Sequence, residues 1–461
     1  MEQTEWGLHE ECGVFGIYDP SGGCARTTYY GLYALQHRGQ EACGIAAVNN
    51  REQSFYKDVG LVSEVFSKDI LDRLNGTMAV GHVRYATTGA GERENAQPLT
   101  IKYVKGTLAV VHNGNLVGID ELRRDFEYRG AIFHTTSDSE LIAYAVAQER
   151  LRCASVEQAV VRAAAGLRGA FSLLVMSPQK LIACRDPWGF RPLCMGRKGD
   201  AVIFASESCA IHAVGGTVER ELDPGEVVVV QEGQVRSIRD NCRGLSHLCV
   251  FEYIYFARPD SVIAGQSVHR ARVNAGRLLA RQAPAQADLV VGVPDSGLDA
   301  AQGFSLESGI PIGMGFVKNR YVGRTFITPD QASREQAVRV KLSALASEVA
   351  GKRVVMVDDS IVRGTTCRQI VDLLREAGAK EVHMRVSAPP FIAPCWFGTD
   401  IPDREKLIAC HHTVDEIRAM AGADSLAYLS LENLHRLAPD ARCGFCEGCF
   451  TGNYPLEEIS I

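Results

Sequence analysis

Two adjacent carboxylates late in the chain are followed directly by residues that can bind a phosphate. The run Val354–Val357 is apolar and mostly β-branched, which is typical of a buried parallel strand. Asp358 and Asp359 end this run, and after them come Ser360, Arg363, Gly364, Thr365 and Thr366. An amphipathic helix is predicted to begin near Cys367. A strand, a loop and a helix in this order direct backbone N–H groups and a helix N-terminus towards a phosphate.

The ligand of this loop must also accommodate the two acids. The Gly-x-x-x-x-Gly-Lys-Ser/Thr spacing of nucleoside triphosphate loops, with its lysine, is missing. Two carboxylates would repel a bare phosphate, so they favour a ligand that also has sugar hydroxyls and a divalent cation. We therefore expect phosphoribosyl pyrophosphate with Mg²⁺, and the hydroxyl-rich loop at the 5′-phosphate. The alternative is that the acids only cap the following helix. The string from Val354 to Thr366 closely resembles the signature of type I phosphoribosyltransferases.

Length and composition exclude several classes of protein. With 461 residues, 46% of them apolar, the chain can bury two or three domain cores. Its 49 basic and 55 acidic residues give a net charge of −6, so no nucleic-acid partner is expected. The acidic start and the short apolar runs predict neither a signal peptide nor a membrane span. Fifteen cysteines without a secretion signal favour free thiols and metal ligands over disulfides, and a cytoplasmic location.

The pattern of secondary structure changes part-way along the chain. The first half predicts a strand-rich α+β region, with strands at Gly13–Tyr18, Gly44–Val48, Met78–Tyr85, Thr107–Val111, Phe171–Met176 and Ala201–Ala205 and helices at Ser139–Leu151 and Val156–Leu167. From Asp288 onwards, a parallel sheet with crossover helices is predicted from strands at Leu289–Val293, Ile312–Phe316, Val354–Val357 and Val382–Val386. The segment Cys242–Ala264 is the predicted boundary.

Four motifs follow Cys12 in the first half of the chain. They are Gln36–Glu41 (QHRGQE), Gly81–Gly89 (GHVRYATTG), His112–Asn115 (HNGN) and Thr136–Glu140 (TSDSE). A lone cysteine beside a strand is usually only a small buried apolar residue. Together with these motifs, however, Cys12 and its surroundings closely resemble the glutaminase domain of class II amidotransferases. These domains are a branch of the N-terminal-nucleophile hydrolases.

The resemblance implies thiol chemistry on glutamine. A thiolate attacks the side-chain amide of glutamine, which gives a thioester and free ammonia. If Cys12 is the chain terminus, its α-amino group titrates at about 7.7–8.0 and can move the proton without a histidine base. This requires the removal of a propeptide, residues 1–11.

The same resemblance assigns roles to five further residues. The Asn113 amide and the Gly114 N–H form the oxyanion hole, and Arg84 and Asp138 bind the carboxylate and α-amino group of glutamine. Arg38 lies on a loop that moves when the site closes. Two alternatives stay open, because Asn-Gly is also the strongest short hairpin signal and an arginine such as Arg38 is usually solvated.

Two segments of the second half resemble substrate loops of a phosphoribosyltransferase. Val293–Gly297 (VPDSG) resembles the loop that binds pyrophosphate, in which Ser296 contacts Mg²⁺, although Gly and Ser are also ordinary turn residues. Lys318–Lys341 is basic but contains aromatic and branched residues, as a lid that packs only when closed must. The resemblance makes this segment the catalytic flap, with Arg324 and Lys341 over the leaving pyrophosphate. A solvated charge run is the alternative.

Taken together, the two halves resemble one family, the amidophosphoribosyltransferases. Phe251–Ser261 (FEYIYFARPDS) matches the connecting segment of that family. The resemblance implies an αββα N-terminal-nucleophile glutaminase domain at 12–245, an α/β type I phosphoribosyltransferase domain with a parallel sheet at 246–442, and a tail at 443–461. Glutamine and phosphoribosyl pyrophosphate are then the substrates and phosphoribosylamine the product, in the first step of purine synthesis. Feedback inhibition by purine nucleotides and a homotetramer are also implied.

The tail has cysteines with the spacing of a metal site. Cys443, Cys446 and Cys449 are each separated by two residues, and soft thiolates select zinc or an iron–sulfur cluster. The family has a subgroup with a propeptide and a 4Fe–4S cluster, and its ligand positions correspond to Cys249, Cys395, Cys446 and Cys449. Cys443 is extra to that pattern and is either a bystander or an alternative ligand. Unrelated buried thiols are the alternative to a cluster.

Two other functions would use only one of these halves. A related class of enzymes joins the same glutaminase to a sugar-phosphate isomerase domain, which does not need the loop Val354–Thr366. Some transcription regulators use a phosphoribosyltransferase fold to sense the ligand. They need a basic DNA-binding domain, whereas this chain has an acidic balance and a glutaminase in that place.

Overall fold

The computed structural model describes residues 12–85, 93–244, 246–319, 340–399, 401 and 403–456. Within this part of the chain, no helix is both long and apolar enough to cross a lipid bilayer. The predictions made for residues 1–11 and for Arg324 lie outside the described residues.

The amino-terminal region is built mainly of strands. They are β1 (Gly13–Tyr18), β2 (Ala42–Asn49), β3 (Glu52–Val59), β4 (Met78–Arg84), β5 (Leu99–Tyr103), β6 (Gly106–Leu116), β7 (Gly169–Met176), β8 (Leu181–Arg185), β9 (Cys194–Lys198), β10 (Ala201–Ala205), β11 (Thr217–Glu221), β12 (Val227–Gln231) and β13 (Gln234–Ile238). The helices are α1 (Cys24–Ala34), α2 (Val62–Val65), α3 (Lys68–Arg73), α4 (Ile119–Tyr128), α5 (Asp138–Arg152), α6 (Val156–Gly166) and α7 (Ser208–Ala213), with 3₁₀ turns at Gln36–Arg38 and Arg93–Asn95.

These strands form two antiparallel sheets that pack face to face. One has the order β11-β9-β10-β1-β4-β2-β3 and the other β13-β12-β8-β7-β6-β5. Val14 and Val80 of the first sheet pack in one cluster with Val111 and Leu174 of the second. Helix α1 covers the outer face of the first sheet, and α5 and α6 cover that of the second. The result is the expected four-layer αββα arrangement, because a sheet that is apolar on both faces needs cover on both.

The carboxy-terminal region contains a parallel sheet and several short strand pairs. Its strands are β14 (His247–Cys249), β15 (Val262–Ile263), β16 (Gln266–Ser267), β17 (Leu289–Gly292), β18 (Phe316–Lys318), β19 (Leu342–Ala344), β20 (Arg353–Asp358), β21 (Glu381–Val386), β22 (Ser425–Tyr428) and β23 (Gly444–Cys446). Its helices are α8 (Val268–Gln282), α9 (Gly297–Ser308), α10 (Ala346–Val349), α11 (Thr365–Glu376), α12 (Ile408–His411), α13 (Val414–Ala421), α14 (Leu431–Leu434) and α15 (Gly448–Thr451), with a π-helix at Glu252–Phe256 and a 3₁₀ turn at Arg404–Lys406.

The parallel sheet has the order β17-β20-β21-β22. β20 is almost entirely buried, because α8 and α9 pack on one face of the sheet and α11 and α13 on the other. The helix predicted near Cys367 begins at Thr365, and its apolar stripe of Cys367, Ile370, Val371 and Leu374 faces this sheet. The carboxyl ends of β17 and β20 therefore lie side by side, which places the two polar loops after them together.

One strand of the predicted parallel sheet was wrong and one was missed. Ile312–Phe316 forms only a single parallel bridge, from Ile312 to Val290. The strand there is β18, which pairs antiparallel with β19 outside the main sheet. The fourth parallel strand is β22, whose sequence SLAY is short and only partly buried, so its apolar pattern was weak.

Candidate active sites

Cys12 lies directly before β1, next to the end of β4. Gly13 pairs with Val83, and the Cys12 thiol donates to the carbonyl of Tyr85 at 3.5 Å. The side chain of Arg84, at the end of β4, is only 4% exposed. Antiparallel pairing thus brings the predicted nucleophile and the predicted carboxylate-binding arginine to one edge of the sheet.

Asn113 and Gly114 lie inside β6, not in a hairpin turn. They pair with Ser172 and Phe171 of β7, so the hairpin interpretation was wrong. The Asn113 side chain is buried, and its Nδ2 has no hydrogen-bond partner among the described residues. A buried donor without an acceptor is rare, and it fits a group that waits for a developing oxyanion.

Gly114 is required by its backbone and by its neighbours. Its φ is +138°, a region that side chains rarely adopt. A Cβ atom there would lie 2.2 Å from the carbonyl oxygen of Ala170 on β7. The chain can therefore pass this point only with glycine.

Asp138 begins α5 and is held next to the same strand. Its Oδ2 accepts from the Leu116 N–H at 3.0 Å, and its Oδ1 lies 3.5 Å from His112 Nδ1. Burial alone raises the pKa of Asp138, but His112 and the hydrogen bonds from Leu116 and Ser139 outweigh it, so the pKa is lowered. An ionised carboxylate is what an α-ammonium group needs as a partner.

A buried polar network behind Asn113 was not predicted from the sequence. His82 lies on β4 and its Nε2 is 3.0 Å from the carbonyl oxygen of His112. Burial, and then the charge of Arg84, lower the pKa of His82 to about 3, so the ring is neutral and donates. Gln97 bonds both the N–H and the carbonyl of His112, at 2.6 and 3.4 Å. The sequence contained one signal for this network: His82 and His112 are polar residues at positions of the motifs that lie in predominantly apolar strands.

Arg38 is buried, so the alternative that it is an ordinary solvated arginine was wrong. It is 1% exposed, and Nε donates to the carbonyl of Cys12 at 3.1 Å. Its guanidinium also bonds Glu207 at 2.8 Å and both carboxylate oxygens of Glu252 at 2.8 and 2.9 Å. The structure therefore places Arg38 behind the nucleophile, between the two regions.

The second site is formed by the loops after β17 and β20. Asp358 and Asp359 are each 8% exposed. Asp359 accepts from the hydroxyls of Ser296 and Ser360, which joins the two predicted loops. Burial raises the pKa of both carboxyls. The charge of Asp359 raises the pKa of Asp358 further.

These two carboxylates fit a magnesium ion that shares its coordination with a substrate. Among the described residues, no group of three or more His, Cys, Asp or Glu side chains converges on one ion. Mg²⁺ commonly uses one or two carboxylates together with water and substrate phosphates. A pair of buried acids with raised pKa values agrees with that mode, because a cation would relieve their repulsion.

The backbone around this pair is closely packed. A Cβ atom at Gly297, the first residue of α9, would lie 2.5 Å from the carbonyl oxygen of Val357. Gly364, with a φ of +82°, turns the chain into the start of α11, where Thr365 and Thr366 are the first residues. Arg363 and Ser360 are half-buried in the loop before them. The predicted phosphate loop thus leads into the N-terminal turn of a helix, with the hydroxyl-bearing residues Thr365 and Thr366 at its start.

The base of the predicted flap lies beside the pyrophosphate loop. β18 and β19 form a two-stranded hairpin base, and the Asn319 N–H donates to the Lys341 carbonyl at 2.8 Å. Lys318 contacts Asp295, in the loop after β17, at 2.5 Å. Lys341 therefore lies at the base of the predicted flap.

Comparison with known proteins identifies a domain family for each region. The chain matches the glutamine amidotransferase domain family over residues 82–213 and the phosphoribosyl transferase domain family over residues 266–390. It is 48% identical to the amidophosphoribosyltransferase of Bacillus subtilis over 98% of this chain and 95% of that protein. It is also 48% identical to that of Archaeoglobus fulgidus, over 96% and 98%. The chain belongs to the amidophosphoribosyltransferase family.

Solved structures of the family have the same fold. A glutamine phosphoribosylpyrophosphate amidotransferase from B. subtilis, complexed with ADP and GMP, superimposes with a TM-score of 0.90 at 46% identity, over 97% of this chain and 99% of that one. As an amidophosphoribosyltransferase, the chain transfers glutamine-derived ammonia to phosphoribosyl pyrophosphate and so opens purine synthesis. The sugar-phosphate and regulator alternatives are thereby excluded.

The four predicted cluster cysteines lie together in this family member. β14 pairs parallel with β23, so Cys249 lies opposite Cys446. The N–H groups of Ile392 and Ala393 donate to the Cys449 carbonyl at 3.0 and 3.2 Å, which holds the Cys395 segment against the tail. Burial raises the pKa of the Cys449 thiol well above its ordinary value, and Cys395, Cys249 and Cys446 add to that effect.

This donor set fits a cluster better than a single ion. In a 4Fe–4S cluster each thiolate binds a different iron, so the four thiols do not need to converge on one point. Cys443 is different. Burial raises its pKa to about 11, and the charge of Glu221 adds to that effect.

Proposed function

We propose that Cys12 is the glutaminase nucleophile. Its attack on the side-chain amide of glutamine forms a tetrahedral intermediate whose oxyanion is stabilised by Asn113 Nδ2 and the Gly114 N–H. Arg84 and Asp138 bind the carboxylate and the α-ammonium group of glutamine. The single observation that supports this best is the buried Asn113 amide, which has no acceptor among the described residues.

The proton for the leaving ammonia comes from the chain terminus in this proposal. Glutaminase activity then requires the removal of residues 1–11, because an amide nitrogen cannot act as a base whereas an α-amino group can. His82 and His112 do not serve as the base, since both are engaged with backbone and side-chain partners inside the sandwich. The chain as encoded would be a zymogen.

The phosphoribosyl transfer takes place at the carboxyl ends of β17 and β20. The 5′-phosphate binds at the start of α11, with Ser360, Arg363, Gly364, Thr365 and Thr366 around it. Asp358 and Asp359 stabilise the positive charge that develops at the ribose as pyrophosphate leaves, and Arg324 and Lys341 of the flap stabilise the pyrophosphate. Asp358, Asp359 and Ser296 would hold Mg²⁺, which supplies charge neutralisation to the pyrophosphate.

One 4Fe–4S cluster per chain would be held by Cys249, Cys395, Cys446 and Cys449. Its role here is structural, because its ligands come from the junction, a late loop and the tail, and metal binding to such distant residues is folding free energy. Cys443 is a bystander. The domain limits that follow are 12–245, 246–442 and 443–461.

Further properties of the family are proposed for this chain as well. The B. subtilis relative was solved with ADP and GMP, so purine nucleotides are proposed as feedback inhibitors here. We also propose a homotetramer, a cytoplasmic location, and no nucleic-acid or membrane partner.

The proposal is tested with protein purified without oxygen. Glutamine hydrolysis should depend on phosphoribosyl pyrophosphate and Mg²⁺, the intact protein should begin at Cys12 by mass spectrometry, and it should contain about four irons per chain. Active enzyme that retains Met1 would disprove the zymogen, and zinc in place of iron would disprove the cluster. Glutamine hydrolysis that ignores phosphoribosyl pyrophosphate would disprove the coupling of the two sites.

A further inference from the structure

A fully buried carboxylate lies between the two regions of the molecule. Glu252, the first residue of the π-helix, has no solvent exposure. It accepts from Arg38 through both oxygens, at 2.8 and 2.9 Å, and Arg191 Nη1 lies 3.5 Å from its Oε1. Arg38 and Arg191 are themselves 1% and 0% exposed. Ions this deeply buried persist only when paired, so the three side chains hold one another in place.

The two arginines bind different segments of the chain. Arg38 donates through Nε to the carbonyl of Cys12, at 3.1 Å. Arg191 donates to the carbonyl of Phe397, through Nη2 at 2.7 Å and Nε at 3.2 Å, and to the hydroxyl of Thr399 at 3.3 Å. The Glu252 carboxylate therefore orients both Arg38, which bonds the backbone of Cys12, and Arg191, which bonds a loop of the transferase region.

That loop packs directly on the predicted oxyanion strand. A Cβ atom on Gly398 would lie 3.1 Å from the carbonyl carbon of Gly114 and 3.4 Å from the backbone nitrogen of Asn115. The Asn115 side chain donates to the carbonyl of Trp396 at 3.0 Å. The Phe397 ring stacks on Phe190, with 4.0 Å between ring centroids. The position of β6 at Gly114 thus depends on residues that follow it by more than half of the chain.

A second buried carboxylate, that of Glu207, also binds Arg38. Glu207 takes the remaining bond of Arg38 Nη1 at 2.8 Å, and also accepts from the Arg258 N–H and the Ser261 hydroxyl of the connecting segment. Arg191 Nη1 is paired with the Glu252 carboxylate at 3.5 Å. The Glu252 carboxylate is therefore shared by both arginines.

We infer that Glu252 and Gly398 are positioning residues for the glutaminase reaction. Neither touches glutamine: Glu252 acts through Arg38 and Arg191, and Gly398 acts through its contact with Gly114. Together they hold the nucleophile and the oxyanion donors at a fixed separation from the transferase side. This inference rests on the proposed roles of Cys12, Asn113 and Gly114.

The first test replaces Glu252→Gln, which keeps the shape and removes the charge. Glutamine-dependent synthesis of phosphoribosylamine should fall about tenfold or more in kcat, since a small misplacement of reacting groups is costly. The KM for glutamine should change little, because Arg84 and Asp138 are untouched. Synthesis from free ammonia should stay within about twofold of wild type. The matched control is Glu226→Gln, which removes an equally buried carboxylate held by Arg220 at 2.7 Å, away from the site.

The second test changes no charge. Gly398→Ala adds a methyl group against Gly114 and should cause the same selective loss of glutamine-dependent kcat. Its control is Gly106→Ala, at the other end of β6, where φ is +125° but a Cβ atom would meet nothing within 4 Å. Both alanines strain a left-handed backbone, so the contacts of the new methyl group with Gly114, Arg191 and Asn115 distinguish Gly398→Ala from its control.

The outcomes separate this inference from the proposed function. If Cys12→Ala retained glutamine-dependent synthesis, the proposed function itself would fail. If Cys12→Ala lost it but both Glu252→Gln and Gly398→Ala behaved like their controls, the positioning role would be refuted. Equal loss of the ammonia-dependent activity, or insolubility of both variants, would also refute it, because the residues would then serve folding alone.

Discussion

The two active sites differ in how their charged groups are held. In the glutaminase region, Asp138 and Arg38 have protein partners at hydrogen-bond distance, and the pKa of Asp138 is lowered. In the phosphoribosyl region, Asp358 and Asp359 lie side by side with raised pKa values, and hydroxyl and amide donors contact their oxygens.

This difference shows which site is complete before its substrate binds. Antiparallel strands from distant segments supply the glutaminase groups and their supports together, so that the geometry is built into the fold. The phosphoribosyl groups lie in loops at strand ends, where the proposed cation and charged substrate would supply the neutralisation. Substitutions should therefore affect the two sites in different ways.

Cys12→Ala should cause the largest separation of the two activities. Glutamine-dependent synthesis should fall to background, because no other thiol can form the thioester. Ammonia-dependent synthesis should remain, since the parallel sheet with its loops is a separate core. Parallel assays with glutamine and with ammonium chloride check this, and loss of both activities in a soluble, folded variant would contradict the separation.

Asp358→Asn together with Asp359→Asn should abolish phosphoribosyl transfer with either nitrogen source, by about 1,000-fold or more. Glutamine hydrolysis should also decrease, because Arg272 joins the two sites. It donates to the carbonyls of Tyr253, Tyr255 and Ala257 in the connecting segment, and its charge opposes the burial that raises the pKa of Asp359.

The measurement is glutamine hydrolysis with and without phosphoribosyl pyrophosphate. In wild type the ligand should stimulate hydrolysis, and in the double variant it should not. A double variant that still responds to the ligand would show that it binds without the two acids. Ser425→Ala, in the same sheet but remote from the loops, provides a control for general damage.

The same comparison explains what the sequence could predict. The phosphoribosyl loop is local: a strand, its acids and the next helix are contiguous, so composition and spacing were enough. The burial of Arg38 depends on Glu207 and Glu252, which are 169 and 214 residues away, and no local pattern contains that information. Likewise, Asn113-Gly114 has a turn signal, and only pairing with β7 keeps it extended.

Errors in the transferase region have the same cause. Ile312–Phe316 is apolar enough for a strand, yet after one bridge to Val290 the chain leaves the sheet. Whether an apolar segment enters a sheet is decided by the space that neighbouring strands leave, which is a property of tertiary structure. The fold class was predictable because it depends on the order of elements, whereas individual strand edges were not.

Two cysteine variants test the segment that joins the regions. Cys446→Ser should lose the cluster and yield mostly insoluble chain, because it removes a ligand that pairs with β14 at the junction. Cys443→Ser, only three residues away, should retain iron and both activities, since Cys443 is proposed to be a bystander. Iron content of the soluble fraction distinguishes them, and iron loss in Cys443→Ser would make it a ligand.

The smallest expected effects are on stability. Substituting an aspartate should change the unfolding temperature in opposite directions at the two sites. The lowered pKa of Asp138 means that its ionised form stabilises the fold; this contribution is present above its ordinary pKa and is lost as pH falls through the lowered one. The raised pKa values of Asp358 and Asp359 have the reverse effect. The folded state binds more protons than the unfolded state, so stability falls as pH rises through the raised values.

Without ligand near pH 8, Asp138→Asn should therefore lower the unfolding temperature and Asp358→Asn should raise it, each by a few degrees. The Asp358→Asn difference should shrink as the pH is lowered through the raised pKa, whereas the Asp138→Asn difference should persist until the pH falls below the ordinary pKa of an aspartate. Mg²⁺ with phosphoribosyl pyrophosphate should stabilise wild type more than Asp358→Asn. Thermal unfolding across this pH range, with and without ligand, measures all of these, and two shifts of the same sign near pH 8 would contradict the difference between a site completed by the fold and a site completed by its ligand.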